Sequence, residues 1–195
     1  MIEPCLQEEA RLREFPKGAQ VFRQGDVARG VFYVLEGEVQ LCRFGRRGER
    51  IIVHRARAGE YFAEASLESK RYHCDAIVMK PARLLEVPAA RFRYVLRSDP
   101  GFAQRWSALL SRQLQIVRAR AERMSLVGAV ERVRHYLATA GSGPRSEVEL
   151  RGSIKDLAAE LGLTHETLYR TLARMQKSGE IEREGSRLRR RRPSV

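Results

Sequence analysis

The chain has 195 residues, 43% of them hydrophobic, and a formal net charge of +13. That length suits one domain or two, and no apolar run approaches the roughly 20 residues that cross a bilayer. Three cysteines, Cys5, Cys42 and Cys74, are odd in number and widely spaced, which excludes a disulfide framework, and no CxxC pair marks a zinc site. The opening MIEPCLQEEARL is acidic, not basic-then-apolar like a secretory signal, so a cytoplasmic protein with no membrane association is expected. The positive charge admits a polyanionic partner, nucleic acid first and an acidic membrane surface second, although solubility alone would also account for it.

Through the first ninety residues, short apolar or alternating runs recur: QVFR, VFYVLEG, EVQLCRF, RIIVHRA, HCDAIVM and ARLLEVP, mostly separated by glycines. Strands at this spacing predict a small barrel or jelly roll. Pro88 ends the last strand, and AARFRYVLRSDPG reads as a short helix broken at Asp99-Pro100. From Phe102 to Leu126 there is no proline or glycine, and good helix formers dominate. Such a helix is about 36 Å long. Trp106, Leu110, Val117 and Met124 keep a heptad rhythm with Ala103, interrupted by Gln113 and Arg120. The rhythm predicts a dimerisation seam, since a small barrel alone leaves one face of so long a helix uncovered. The alternative is a single long core helix.

SLVGAVERVRHYLATA continues as a further helix with Val127, Val130, Val133 and Leu137 inward. Two short helices follow, SIKDLAAELG and THETLYRTLARMQKSG. Ser153 with Asp156 three residues later makes an acidic capping box, and Thr164 caps the second helix. Only Gly162 and Leu163 separate them, so they cross steeply, with small Ala158 and Ala159 allowing close approach. EIEREGSRLRRRRPSV then closes the chain as a two-stranded wing around Glu184-Gly185-Ser186. The run 189–192 is read either as a phosphate grip or as a solvated tail.

Helix, tight turn, helix and hairpin form the pattern of a winged helix-turn-helix. In THETLYRTLARMQKSG, Leu168, Leu172 and Met175 define an apolar face, leaving His165, Glu166, Tyr169 and Arg170 outward at the N-terminal end. Arg170 has the planar fork that pairs with guanine O6 and N7, and Glu166 can accept from cytosine N4. Four residues apart, the two share a face, although the same pair would also suit a plain surface ion pair. Arg174 and Lys177, with Ser153, Thr164 and Thr167, are candidates for phosphate contacts.

On these motifs the chain resembles the CRP/FNR family of bacterial transcription regulators. FPKGAQVFRQGDVARGVFYVLEGEVQL is similar to that family's opening strands, GEYFAEASL to its pocket loop and LTHETLYRTLARMQKSGEI to its recognition helix. The resemblance implies an α+β fold: a cyclic-nucleotide-binding-like β-roll (1–98), a long dimerisation helix with hinge (99–126) and a C-terminal winged helix-turn-helix (127–195). It also implies a homodimer on pseudo-palindromic double-stranded DNA, contact with RNA polymerase, and control by an effector or redox state. Glu166 and Arg170 match the family's base-reading glutamate and arginine. His165 stands where cyclic-AMP-type members carry another arginine, and Tyr169 takes a position that varies between subgroups.

The resemblance places the effector pocket at Glu64, Ala65, Ser66, Cys74 and Asp75. Where cyclic-AMP-binding members hold the phosphate with Arg-Ser, this chain has Cys74-Asp75. A cyclic phosphate needs a cation or convergent donors, so cyclic-nucleotide binding is not expected. The plain reading of Asp75 is a carboxylate tied to backbone N–H groups, and Arg71 lies off the matching position. Adjacent strand residues face opposite ways, so His73 and Cys74 cannot both ligate one haem iron, and three cysteines exclude an FNR-type four-cysteine iron–sulfur cluster. No cofactor or metal is expected, the effector stays unknown, and a ligand-independent member is the alternative. A small-barrel metalloenzyme would need clustered histidines with a carboxylate, whereas His54, His73, His135 and His165 stand singly. An RNA module would need stacking aromatics.

Overall fold

The computed structural model describes residues 2–191 except 47, 49, 144, 145, 151 and 152. The chain divides into two compact units at Ser107/Ala108, inside the long helix.

The first unit opens with a short helix, α1 (Pro4–Gln7), and continues as an antiparallel β-roll: β1 (Arg11–Phe15), β2 (Gln20–Phe22), β3 (Gly30–Phe44), β4 (Arg50–Arg57), β5 (Tyr61–Phe62) and β6 (Asp75–Pro88). The sheet runs β1-β6-β3-β4, with β2 on β6 and β5 on β3. Runs that read as separate strands are continuous. VFYVLEG and EVQLCRF form the single β3, and ARLLEVP belongs to β6. What interrupts the pattern is a set of register shifts between β3 and β6 at Val34/Glu36, Glu36/Glu38 and Glu38/Val39. Such irregularities bend a strand without ending it. Gly37 sits at this bend with φ 91°, and a Cβ there would lie 2.3 Å from the Pro81 carbonyl oxygen.

Inside the roll, Phe22 stacks on Tyr72 at 3.7 Å and Phe32 on Phe62 at 5.0 Å. α2 (Ala89–Ser98) follows β6, Asp99 breaks the helix in extended conformation, and α3 runs from Pro100 to Ser125. Phe102 and Trp106 on the first turns of α3 close the unit against Phe92 and Tyr61, with Trp106 ring distances of 4.7 and 5.2 Å. Trp106 is therefore a core residue, 6% exposed, and not part of an open seam as its heptad position predicts. Aromatic neighbours within the chain claim it first.

The second unit holds the remainder of α3, then α4 (Ala129–Ala140), β7 (Val148–Glu149), α5 (Ile154–Glu160), α6 (His165–Lys177), β8 (Ile181–Glu184) and β9 (Arg187–Arg190). Val133, Leu137, Leu157, Leu161, Leu168 and Leu172 form the centre of its core. Val127 does not point inward. Gly128 adopts φ 93° as the N-cap of α4, so Val127 lies before the helix and is 92% exposed. Ala158 is buried at the α5–α6 crossing while Ala159 is exposed. The wing has three strands, because β7 pairs with β9 through Val148↔Leu188. Along α3, Leu110, Leu114, Val117 and Met124 are exposed at 39, 49, 61 and 39%. Leu114 extends the predicted stripe by one residue that the heptad reading passes over.

Two glycines with similar φ separate backbone strain from clash. Gly25 has φ 91° with open space around its Cβ position, whereas Gly37 has the same φ against backbone. Gly25→Ala should cost about 1–2 kcal/mol, and Gly37→Ala several times as much, read from denaturant unfolding of each variant. Equal costs would show that the β3 bend relaxes freely.

Candidate nucleic-acid interface

Two caps and one buried face set the geometry of the helix pair. The Ser153 side chain accepts from the Asp156 backbone N–H, and the Asp156 carboxylate accepts from the Ser153 backbone N–H at 3.0 Å, so the predicted capping box forms. The Ser153 hydroxyl also donates to Asp156 at 2.9 Å, and is thus spent on the cap. Thr164 accepts from the Thr167 N–H at 3.1 Å and donates to the Thr167 hydroxyl at 2.8 Å. Gly162, at φ 63°, makes the turn between the helices. On α6, Leu168, Leu172 and Met175 are at most 2% exposed.

The opposite face then stands in solvent. His165, Glu166, Tyr169 and Arg170 are all exposed, with Arg170 and Glu166 side chains at 71 and 79% and their charged groups 3.7 Å apart. The rings of His165 and Tyr169 lie 6.5 Å apart, inclined by 29°. One surface thus carries all four predicted base-reading residues, with a guanidinium and a carboxylate close enough to brace each other. Arg174 and Lys177 lie exposed further along the helix, in its basic last turn. The wing is an ionic lattice. Arg189 pairs with Glu182 at 2.7 Å and with Glu184 at 3.3 Å, and Arg191 with Glu182 at 2.9 Å. As far as Arg191 the basic run is thus no free tail, since Arg189 and Arg190 lie in β9, and Arg192 lies outside the described residues.

In the β-roll, Glu64, Ala65 and Ser66 form a 3₁₀ turn entered through Ala63 at φ 67°. Burial holds the Glu64 carboxyl above the usual carboxylate range, and its Oε2 has no hydrogen-bond partner among the described residues. Ser66 Oγ lies 2.8 Å from His73 Nδ1. Cys74 points into the core, where burial pushes its thiol up to about 11; Cys42 is buried and raised for the same reason. Asp75 does not join the pocket. Strand alternation turns it to the other face, opposite Cys42, where its Oδ1 accepts from Gln20 Nε2 at 3.0 Å and from the Gln24 backbone N–H at 3.1 Å. Arg71 donates to the Gly25 carbonyl at 2.6 Å.

This architecture, an antiparallel β-roll followed by a winged helix-turn-helix, is that of a DNA-binding transcription regulator. Residues 12–99 match the cyclic nucleotide-binding domain model, and residues 131–193 match the Crp-like helix-turn-helix domain model. The chain is 32% identical over 183 residues to the nitrogen fixation regulation protein FixK of Azorhizobium caulinodans, covering 89% of this chain and 72% of that protein. It is 28% identical to the cyclic AMP receptor protein of Thermus thermophilus, covering 87% and 78%. Among solved structures, FixK2 of Bradyrhizobium japonicum shares the fold with a TM-score of 0.68 at 21% identity, over 94% of this chain and 93% of that one. The chain belongs to the CRP/FNR family of transcription regulators.

The buried Glu64 carboxyl gives a pH signature. Its folded-state pKa is raised, so stability present at low pH is lost as pH rises from the ordinary carboxylate pKa through the folded value. Glu64→Gln removes that loss. The variant should melt with the parent near pH 4 and above it at pH 8, by calorimetry. A difference independent of pH would place Glu64 in solvent.

Proposed function

We propose that the protein acts as a cytoplasmic homodimer that reads a pseudo-palindromic DNA site, with one α6 in each of two successive major grooves about 34 Å apart. The observation that carries this reading is the outward N-terminal face of α6, where His165, Glu166, Tyr169 and Arg170 stand exposed on a helix whose other side is locked in the core. Arg170 reads guanine, Glu166 reads cytosine or steadies Arg170, and His165 and Tyr169 tune the neighbouring bases. Arg174, Lys177 and Thr167 contact phosphates, while the Thr164 hydroxyl, like that of Ser153, is spent on its cap. The exposed stripe Leu110, Leu114 and Val117, at i, i+4 and i+7, supports pairing of two α3 helices. RNA polymerase is the further partner in this reading.

The β-roll senses a state other than a cyclic nucleotide. Arg71 is committed to the Gly25 carbonyl and Asp75 to β2 and its turn, so the described pocket residues offer a cyclic phosphate no inward cation. Protonated, buried Cys42 and Cys74 thiols favour a packing role over thiolate redox chemistry.

Selection of bound duplexes from a random pool tests the reading directly. Against the selected site, Arg170→Ala should cost roughly 1–3 kcal/mol and relax preference at one guanine, while Arg174→Ala should weaken all sequences alike and reduce the salt slope by about one. Unchanged preference in Arg170→Ala would remove the base-reading role. Val117→Glu should shift the chain to monomer in sedimentation experiments; a dimer undisturbed by this charge would place the seam elsewhere.

A further inference from the structure

Arg132, on the first turn of α4, makes contacts that no base-reading or dimer role explains. Its Nε donates to the Leu126 carbonyl at 3.1 Å and its Nη2 to the Met124 carbonyl at 3.4 Å. Its Nη1 donates to the carbonyls of Leu161 at 3.2 Å and Gly162 at 3.0 Å. The first pair of oxygens belongs to the C-terminal end of α3. The second pair belongs to the end of α5 and the turn that leads into α6. Both are helix C-termini, where the last carbonyls lack helical partners and the helix dipole is negative. One planar guanidinium, with five donors in a fixed fork, ties the two ends together.

Two further contacts converge on the same point. A Cβ at Gly162 would come within 2.8 Å of Met124 Sδ and 3.1 Å of Arg132 Nη1, so the thioether of α3 and the guanidinium of α4 both rest on the turn. Beside them, Arg123 of α3 is 3% exposed, lies over the Tyr136 ring at 5.0 Å and reaches to 3.8 Å from Glu160, the last residue of α5. Gly162 is two residues before Thr164, the N-cap of α6. Any slip of the turn against α3 therefore displaces the start of the reading surface.

We propose that Arg132 is a positioning residue for DNA reading: its fork welds the end of α3 to the turn before α6, so that the recognition helix follows the long helix as one rigid piece. The inference rests on the reading of α6 as the base-reading helix, and it adds a residue that touches no DNA. A lysine keeps the charge at this position but cannot hold four carbonyls in two directions.

The test compares the full chain with Arg132→Lys and Arg132→Gln by amide hydrogen exchange and by DNA affinity. Exchange should accelerate about tenfold or more at residues 124–127 and 161–165 in both variants, while the wing amides of β8 and β9 keep their parent rates. Unchanged exchange at those two segments, or acceleration shared with the wing, overturns the proposal by reducing Arg132 to a bystander or to general stability. On DNA, both variants should lose affinity for a selected two-half-site duplex yet bind a single half-site like the parent. Parallel loss on both duplexes overturns it. If the parent chain selects no duplex, the DNA-reading role fails by itself, and the exchange result still decides whether the weld exists.

Discussion

The rotation of α6 about its own axis is the constraint on which the interface depends. Leu168, Leu172 and Met175 are at most 2% exposed, and each buried side chain contributes about 1.5–3 kcal/mol. The Glu166–Arg170 pair, at 3.7 Å and with both side chains more than two-thirds exposed, contributes only a few tenths. Packing therefore decides which residues face outward, and the ion pair only biases a rotamer. A roll of one residue, about 100°, would carry Arg170 and Arg174 into the core and Leu168, Leu172 and Met175 into solvent; Thr171, 6% exposed, donates back to the Thr167 carbonyl at 2.8 Å. The two N-caps add to the same end by fixing where each helix of the pair begins.

Charge is distributed differently from what the net value of +13 implies. Part of the gross cationic charge, 37 lysines and arginines against 24 carboxylates, is paired locally. Arg134 is paired with Glu180 at 2.6 Å and also with Glu131, which drives the Glu180 carboxyl below its usual range. Arg187 pairs with Glu149, whose carboxyl is lowered first by its hydrogen bond from Ser186. Within the wing, the arginines brace strands through Glu182 and Glu184. The basic wing thus serves first as a scaffold holding β8, β9 and β7 in register. The cations on the reading helix itself, Arg170, Arg174 and Lys177, stay exposed along one element.

The winged helix-turn-helix was legible in the sequence because its signals are local. Ser153 with Asp156, Thr164, Gly162 and the spacing of Leu168, Leu172 and Met175 all act within a few residues. The β-roll was legible only as fragments. β3 and β6 read as shorter runs because irregularities at Val34–Val39 break the alternation without breaking the strand, and β1, RLREF, is mostly exposed and lacks an apolar face of its own. β7 is two residues long and exists only through pairing with β9. Heptad spacing cannot tell an intramolecular aromatic cluster from a seam, so Trp106 was misplaced. The direction of Asp75 depends on its pairing with Cys42, a contact between residues 33 positions apart in the chain. Nothing local marks Arg132 as different from any other helical arginine, because its partners lie on two separate segments, 124–126 and 161–162.

The departure of the pocket from the family pattern thus has a different physical basis from the one the residue types imply. On residue type alone, Asp75 looks like a like charge set against a phosphate. In the fold its carboxylate is spent outside the pocket, holding Gln20 and the Gln24 N–H. The group that remains near the core is Glu64, half-buried, raised in pKa and without a partner at Oε2 among the described residues. Its nearby groups include a protonated thiol at Cys74, and His73, held by Ser66, is itself lowered in pKa, first by burial and then by Arg43. Glu64, His73 and Cys74 are thus each shifted toward the neutral form. A phosphate monoanion entering there would face desolvation beside the Glu64 carboxyl, and the Arg43 guanidinium that reaches this neighbourhood already donates to the His73 carbonyl at 2.8 Å.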